Sequence, residues 1–547
     1  VPEELLCSPH TPPASILPRV QGPSCGAAGP ARPAARSGAS RAPRVRSHMI
    51  SCVTSLARRE SQRDETLAPT PMLSLLSVLF AMLTRQVALT HVPGDLPCCT
   101  GHDPTPARCD KPPICGCKRP DVAVASCWGF DEEDATVSLQ AALDSGAATV
   151  VVPFMGETRP WILSANGTTP PNKGAVQLRS NQQLILESGV ELQAKRGAFF
   201  GTGDCLLQAN LVDNLTIIGY GATLRMWRAD YGRAPYPRGE WRSGLSLRGV
   251  RNVGVFGLTI RETGGDGIYL DSSEEATKGT PPSRYNCENV VIRDVRSLGN
   301  YRQGASVIGA VNLTVSNSIF ADTAGTPPSA GVDLEPDNPQ QRISAVSFTN
   351  CTFQNNSGAG VDMFFLAFSN YSADVSATFT DCAVDGAGSS GYRIAGVLPN
   401  GPRGTIAVTG GSVRHTAGPG VALEAKASQR LAVKFAHVAF ANTASMSPDD
   451  PGWSPEAAAM SPIWIDKLHK FNAITNMTVG GLELESCTIS DDRKRPYMRV
   501  TLNSSIDRGV ADVSGSVRVE SPFAGACDVD YGSGTRQRVE VQCSRSR

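Results

Sequence analysis

Short segments in which apolar and polar residues alternate recur from residue 178 to residue 435, and they are of two kinds. Alternation with a period of two predicts β-strands that bury one face, and the recurrence of the same two strands predicts a solenoid of stacked coils. Segments of the first kind open with asparagine: Asn214-Leu-Thr-Ile, Asn252-Val-Gly-Val, Asn289-Val-Val-Ile and Asn312-Leu-Thr-Val. Segments of the second kind open with glycine: Gly267-Ile-Tyr-Leu, Gly304-Ala-Ser-Val, Gly331-Val-Asp-Leu and Gly360-Val-Asp-Met.

Residues that tolerate a left-handed backbone follow the asparagine-type strands and predict a turn there. They are Gly257, Asp294, Asn317, Asn350, Asp381 and Gly410. In the glycine-type strands, alternation predicts an inner row that forms core and an outer row at the surface. The inner row is Ile268, Leu270, Val332, Leu334, Val361 and Met363. The outer row is Tyr269, Ser306, Asp333, Asp362, Arg393 and Ala422, with Asp271, Glu335 and Glu424 on the same face two residues on.

Both ends of the repeat predict caps, because an open solenoid would expose its apolar interior and its strand edges. An amphipathic helix over residues 134–146, with Asp134 as N-cap and Gly146 as C-terminal stop, is expected at the first end. The expected fold is therefore all-β: a solenoid over residues 131–495, with an N-terminal capping helix and a C-terminal β cap.

The C-terminal cap is expected over residues 496–547, where polar and apolar residues alternate again from Tyr497. The pattern predicts antiparallel strands that close the far end. Cys527 and Cys543 flank a Gly-Ser-Gly turn, as in a hairpin disulfide.

The chain before the solenoid divides into three segments. Residues 1–71 are rich in Pro, Ala, Ser and Arg without apolar periodicity, which predicts a disordered segment, a targeting extension or translated upstream sequence. Residues 72–90 hold an apolar run too short to cross a bilayer, which predicts a signal peptide, with a buried helix as the alternative. Residues 91–130 crowd six cysteines into a Pro-rich stretch, which favours a disulfide-stapled module over a zinc site.

These features predict a secreted or cell-surface protein, and Asn-x-Ser/Thr sequons would permit glycosylation there. The formal net charge is zero and aromatic residues make up 6% of the chain, without a basic run interleaved with aromatics. Nucleic acid is therefore not an expected partner. No segment of the mature chain is expected to span a membrane.

The candidate chemistry lies on the outer row of the glycine-type strands. Coils stack about 4.8 Å apart, so Asp333 and Asp362 are expected as neighbours, with Asp271 two coils below Asp333 and Glu335. Glycosidases hold two carboxyl groups at about 5 Å or about 6.5 to 9.5 Å, and both separations can be built from these four residues. Repulsion between such carboxylates raises the pKa of one of them, which makes it an acid.

Hydrogen-bonding and stacking groups for a sugar are expected around these carboxylates. The predicted substrate-binding residues are Tyr269, Asp266, Arg302, Gln303 and Arg393. Two alternatives use the same residues differently. Asp and Glu on neighbouring coils supply the oxygen ligands of a calcium site, and an acidic outer face is also compatible with simple solvation.

Three motifs resemble those of secreted right-handed parallel β-helix proteins of the pectate-lyase and polygalacturonase-like superfamily. They are Gly264-Gly-Asp-Gly-Ile-Tyr-Leu, Arg302-Gln-Gly and Gly325-Thr-Pro-Pro-Ser-Ala-Gly-Val-Asp-Leu-Glu-Pro-Asp. The resemblance covers about residues 130–490 and implies a right-handed parallel β-helix that acts on polysaccharides. It departs from polygalacturonases at Gly265-Asp-Gly, where they have an Asp-Asp pair, and it lacks their Asn-Thr-Asp, His-Gly and Arg-x-Lys motifs.

The preferred hypothesis is hydrolysis of glycosidic bonds, with Asp333 as base or nucleophile and Asp362 or Asp271 as acid. A lyase or epimerase acting on uronic acids is the first alternative, with Arg302 or Arg393 abstracting a proton. A non-catalytic glycan-binding or cell-surface module is the second alternative. No cofactor is expected with certainty, and Ca²⁺ is the candidate metal.

Overall fold

The computed structural model describes residues 121–165, 174–275, 279–446, 460–466, 477–502, 509–531 and 535–546. All of these belong to one compact unit, residues 94–547. The predictions made for residues 1–71 and 72–90, and for the first thirty residues of the Cys-rich segment, lie outside the described residues.

The glycine-type strands pair with one another in parallel and form a sheet of 12 strands, here called ladder 1. Each coil contributes one strand, so the same position recurs along the stack. The strands are Gly174–Gln177, Cys205–Asn210, Leu245–Arg248, Ile268–Asp271, Ala305–Val307, Val332–Leu334, Val361–Phe364, Tyr392–Ala395, Val421–Glu424, Ile463–Asp466, Met498–Thr501 and Val529–Asp530.

The asparagine-type strands form ladder 2, which is also parallel. Ladder 2 contains Val122–Val124, Thr149–Val152, Gln182–Leu186, Asp213–Ile218, Arg251–Phe256, Cys287–Arg293, Ala310–Ser316, Ile343–Thr349, Val375–Thr380, Gly404–Thr409 and Leu431–Ala436. After the turn comes ladder 3, with Trp161–Leu163, Glu191–Ala194, Thr223–Arg225, Thr259–Arg261, Arg296–Leu298, Ile319–Ala321, Thr352–Gln354, Ala383–Asp385, Ser412–Arg414 and Ala439–Ala441. The last coils run through both ladders in single long strands, Thr478–Ser490, Gly509–Glu520 and Thr535–Ser546.

The predicted turns between ladders 2 and 3 are confirmed. Gly257, Asp294, Asn317, Asn350, Asp381 and Gly410 all have φ between 51° and 70°. The predicted inner row is also confirmed, because Ile268, Leu270, Val332, Leu334, Val361 and Met363 are fully buried in one continuous core. Rings in successive coils stack within this core, as Phe348 does on Phe379 with centroids 5.0 Å apart.

The expected N-terminal helix is present over Thr136–Leu143, shorter than predicted. Its N-cap is Ala135 and not Asp134, although the Asp134 carboxylate still accepts the Thr136 backbone N–H at 3.1 Å. Leu139 and Leu143 are buried in the main core. In the part of the chain that the structure describes, the remaining helical segments are α-helical Arg228–Tyr231 and two 3₁₀ turns, Ala125–Trp128 and Ala524–Cys527.

The expectation of antiparallel strands at the C-terminal end is wrong. Gly509–Glu520 and Thr535–Ser546 pair in parallel, so the coils continue past residue 496. Alternation marks a half-buried strand of either direction, and only the connection decides which. The Cys527–Cys543 disulfide is present, with Cα atoms 5.7 Å apart, but it links a 3₁₀ turn to the last strand and closes no hairpin.

No helix among the described parts of the chain is both long and apolar enough to cross a membrane.

Candidate functional site

The outer face of ladder 1 brings the predicted outer row together in register. The expectation that this row lies at the surface is wrong, because every member except Arg393 is buried. Each member is the Cα partner of the next one, one coil along. The row runs Tyr269, Ser306, Asp333, Asp362, Arg393 and Ala422. Asp333 and Asp362 are therefore direct neighbours, about 4.8 Å apart at the backbone.

Asp333 is the more isolated member of this carboxyl pair. It is 1% exposed, and Gln303 Nε2 donates to its Oδ2 at 2.9 Å. Burial raises the pKa of Asp333 well above its usual range, and the charges of Asp362 and Glu335 act in the same direction. Asp333 is therefore the residue of the pair that takes up a proton first.

Asp362 is 4% exposed and has a cationic partner. Arg393 Nη1 donates to both of its carboxylate oxygens, at 2.9 and 3.2 Å, while Arg393 Nε donates to Glu424 Oε2 at 2.8 Å. Burial raises the pKa of Asp362, and Arg393 opposes this rise. The environment thus separates the two carboxyl groups into a better acid, Asp333, and a better-stabilised carboxylate, Asp362.

Asp271 lies two coils from Asp333 and belongs to a different network. Its Oδ2 accepts from Arg248 Nη1 at 3.0 Å and from the Tyr269 hydroxyl at 3.1 Å, while Gln341 Nε2 donates to Oδ1 at 2.9 Å. Tyr269 is itself buried, beneath the Arg248 guanidinium. Both side chains therefore serve internal contacts here.

Arg302 forms ion pairs with three carboxylates beside the carboxyl pair. It lies 3.6 Å from Asp266 Oδ2, 3.4 Å from Glu240 Oε2 and 3.3 Å from Glu335 Oε2. Asp266 is fully buried, and burial raises its pKa to about 7 despite the nearby guanidinium. Arg302 and Asp266 thus form the wall beside the carboxyl pair, and Gln303 reaches Asp333 from the same segment.

Several residues of the face were missed by sequence reasoning. Asp337 lies beside Asp271 and Glu335, and burial raises its pKa to about 6. Trp241, Gln208 and Arg248 line a pocket of about 390 Å³ on the same face. Trp241 comes from the stretch between ladders 3 and 1, which has no periodicity. Its aromatic ring in a polar segment is the one signal that the sequence offers.

Among the described residues, no group of three or more His, Cys, Asp or Glu side chains is arranged to hold a metal ion.

Residues 243–434 match a family model described as right handed beta helix region. Together with the parallel ladders, this match identifies the fold of the chain as a right-handed parallel β-helix. This confirms the fold class inferred from the sequence. No curated protein sequence matches this β-helix protein.

Solved structures similar to the β-helix protein share little sequence with it. One is the catalytic unit of a thermostable GH87 alpha-1,3-glucanase from Streptomyces thermodiastaticus strain HF3-3, with 13% identity, a TM-score of 0.49, and coverage of 78% of this chain and 69% of that chain. A tailspike protein double mutant of E. coli bacteriophage HK620, in complex with pentasaccharide, has 12% identity, a TM-score of 0.48, and coverage of 77% and 78%. The A-module of the mannuronan C-5 epimerase AlgE6 from Azotobacter vinelandii has 13% identity, a TM-score of 0.48, and coverage of 78% and 100%.

Proposed function

We propose that this β-helix protein binds a polysaccharide along the outer face of ladder 1 and hydrolyses its glycosidic bonds. The observation that carries the proposal is the buried pair Asp333 and Asp362 on neighbouring strands, with their pKa values raised by burial. Two carboxyl groups with different proton affinities are what general acid catalysis and nucleophilic or base catalysis at a glycosidic bond require.

The environments of the pair favour a specific division of roles. Asp333 retains its proton and would donate it to the leaving oxygen, while Asp362, held as a carboxylate by Arg393, would attack the anomeric carbon or activate water. This reverses the roles that the sequence suggested for the two residues. Asp271, whose oxygens are already hydrogen-bonded, is left out of the chemistry.

The coil spacing supports a retaining reaction. Residues whose backbones are about 4.8 Å apart can place their carboxyl groups at a separation of about 5 Å, which is typical of retaining enzymes. Asp362 would then form a bond to the anomeric carbon as the leaving oxygen takes the proton of Asp333. Water, deprotonated by Asp333, would release the sugar in the second step. The first product should therefore have the same anomeric configuration as the substrate, which nuclear magnetic resonance can detect before the product mutarotates.

The contacts of Arg302 and Arg393 disfavour a lyase or epimerase that uses either residue as base. Burial works against their charge, but Asp266 near Arg302 and Asp362 near Arg393 outweigh it and raise both pKa values above their ordinary level. A guanidinium paired in this way is a poor acceptor for a substrate proton.

The test is incubation of the full chain with a panel of neutral and uronic polysaccharides. Reducing ends and ultraviolet absorbance from unsaturated ends are measured together. We expect reducing ends without unsaturated ends, and their loss in Asp333→Asn and in Asp362→Asn. The matched control is Asp385→Asn, a half-exposed aspartate on ladder 3.

Three outcomes would contradict the proposal. Unsaturated ends would indicate a lyase, and binding without any cleavage would indicate a glycan-binding module. Full activity in both Asp333→Asn and Asp362→Asn would remove the carboxyl pair from the mechanism.

A further inference from the structure

A pocket of about 390 Å³ opens on the outer face of ladder 1, towards the N-terminal end of the solenoid. Tyr269, on its wall, lies two coils from Asp333, and Gln208 lies four coils away. With coils about 4.8 Å apart, these steps amount to about 10 and 19 Å. A glycan that follows the face past Asp333 and Asp362 would therefore reach the pocket.

One wall of the pocket is an aromatic ring with no ring partner of its own among the described residues. Trp241 is 50% exposed although the residue after it, Arg242, is fully buried. Arg242 donates to the carbonyls of Phe199, Phe200 and Pro237, and it bridges to Gly264 on the next coil. The backbone next to Trp241 is thus fixed at the pocket.

One residue that lines the pocket, Gln208, has an unsatisfied acceptor. Gln208 is 1% exposed, and its Nε2 donates to Glu274 Oε2 at 3.3 Å. Within the described part of the chain, Gln208 Oε1 has no hydrogen-bond partner. A buried acceptor left unpaired is unfavourable, so a donor from a ligand would be stabilising at this position.

The charges at the pocket are mainly negative. Asp204 and Glu274 line it, and Asp271 lies behind Tyr269. Among the described residues that line the pocket, Arg248 is the one guanidinium, and it is already 3.0 Å from Asp271 Oδ2 and 3.8 Å from Glu274 Oε2. A uronic acid or another anion would meet these carboxylates with no unpaired cation among the described lining residues, whereas hydroxyl groups would find acceptors.

We propose that this pocket is a subsite for a neutral sugar unit, whose ring packs on Trp241 and whose hydroxyl group donates to Gln208 Oε1. Flat apolar rings bind the C–H face of a sugar, and polar side chains around them bind its hydroxyl groups. The proposal rests on the proposed function only in taking this unit to belong to the same chain that reaches Asp333. It adds the substrate class, a neutral glycan and not a polyuronate.

The test uses the full chain carrying Asp333→Asn and Asp362→Asn, so that the ligand is not consumed. The probes are neutral glucose and mannose hexasaccharides of several linkages, with hexagalacturonate at the same ionic strength. Calorimetry gives affinity, and quenching of tryptophan emission reports the indole. We expect at least one neutral hexasaccharide to bind more tightly than hexagalacturonate and to quench the emission.

Substitutions then locate the site. Trp241→Ala should weaken the binding of that hexasaccharide at least tenfold, Gln208→Leu about fivefold, and Trp241→Phe much less than Trp241→Ala because it keeps an aromatic face. The matched control is Trp227→Ala, which removes a partly buried indole that follows the ladder 3 strand Thr223–Arg225 and donates to the Ala194 carbonyl, away from the outer face of ladder 1. Thermal unfolding of each variant shows whether it is folded.

The subsite is overturned if no neutral hexasaccharide binds, if hexagalacturonate binds more tightly, or if Trp241→Ala and Trp227→Ala have equal effects in folded protein. Its failure is separable from failure of the proposed function. Cleavage that needs Asp333 but binding that ignores Trp241 rejects the subsite alone. Binding that needs Trp241, with cleavage unchanged in Asp333→Asn, rejects the carboxyl pair alone.

Discussion

Two stacks of side chains run along the solenoid on different faces. One is a stack of asparagines on ladder 2, the other is the outer row of ladder 1, and their side chains interact differently. On ladder 2, successive asparagine side chains are joined, with each Nδ2 donating to the Oδ1 of the asparagine one coil before, at 2.8 to 3.0 Å. This asparagine stack consists of Asn181, Asn214, Asn252, Asn289 and Asn312. An amide both donates and accepts, so a column of amides satisfies itself and stabilises the coils.

At the centre of the outer row of ladder 1, neighbouring side chains repel one another and do not satisfy one another. There Asp333 and Asp362 place two carboxyl groups one coil apart and bury both. Like charges repel, and burial disfavours each charge further, so this arrangement costs stability. A repeat fold can place an amide at any position of such a column. A carboxyl pair that costs stability is therefore better explained by chemistry than by architecture.

The largest expected effect comes from replacing a carboxyl group of the pair by an amide, the group that forms the asparagine stack. Asp333→Asn should lower activity on the substrate found in the panel by about 10² to 10⁴, the range for a lost general acid. It should not lower the free energy of unfolding at neutral pH, because the amide is isosteric with the protonated carboxyl group and removes the repulsion of Asp362. Turnover and chemical unfolding check this. A large loss of stability would mean that Asp333 is structural.

The next effect concerns the pH dependence of stability. Burial raises the pKa of Asp266 to about 7, from an ordinary value of 3.8. Stability from its protonated form is fully present below about pH 4 and is lost as the pH rises through about 7. Removing the carboxyl group with Asp266→Asn should therefore flatten the decline in unfolding free energy between pH 4.5 and 7.5, by up to about 3 kcal/mol. The control Asp385→Asn should leave the decline as it is.

A smaller effect is expected at the cation of the site. Arg393 favours the charged form of Asp362, so Arg393→Met should raise the Asp362 pKa further. The acidic limb of the profile of kcat/KM against pH, where Asp362 loses its proton, should then move to higher pH. Arg251→Met removes an exposed arginine on ladder 2 and should leave the profile unchanged. A limb that stays in place would show that Asp362 is not the titrating base.

Much of the architecture could be predicted because its causes are local. Alternation fixes which side chains face inward, and glycine, asparagine or aspartate is placed where the backbone turns left-handed. Register followed too, since the repeated glycine figure aligns Asp333 with Asp362. The direction of the last strands could not be predicted, because alternation is the same in parallel and antiparallel pairs.

The partners in the site depend on segments that carry no period. Gln341 reaches Asp271 from 70 residues further along the chain, and Arg248 reaches it from the preceding coil. These contacts explain why Asp271, equivalent to Glu335 by pattern, has another environment. Trp241 likewise owes its place to the loop anchored by Arg242. The strands thus align the side chains in rows, whereas contacts from the loops determine which side chains of a row are occupied by internal hydrogen bonds.

The smallest expected effect is in the asparagine stack itself. Asn252 has φ of 55° and takes part in two amide–amide hydrogen bonds, so Asn252→Ala should lose about 1–3 kcal/mol of unfolding free energy without a change in activity. Asn252→Gly tolerates the left-handed backbone and should recover about 1 kcal/mol of this loss. Asn252→Asp keeps an acceptor for Asn289 but cannot donate to Asn214, so it should be destabilising where Asp333→Asn is not. If Asn252→Asp and Asp333→Asn lower the unfolding free energy equally, the asparagine stack and the carboxyl pair are alike in stability. The stability argument for a catalytic role of the carboxyl pair is then wrong.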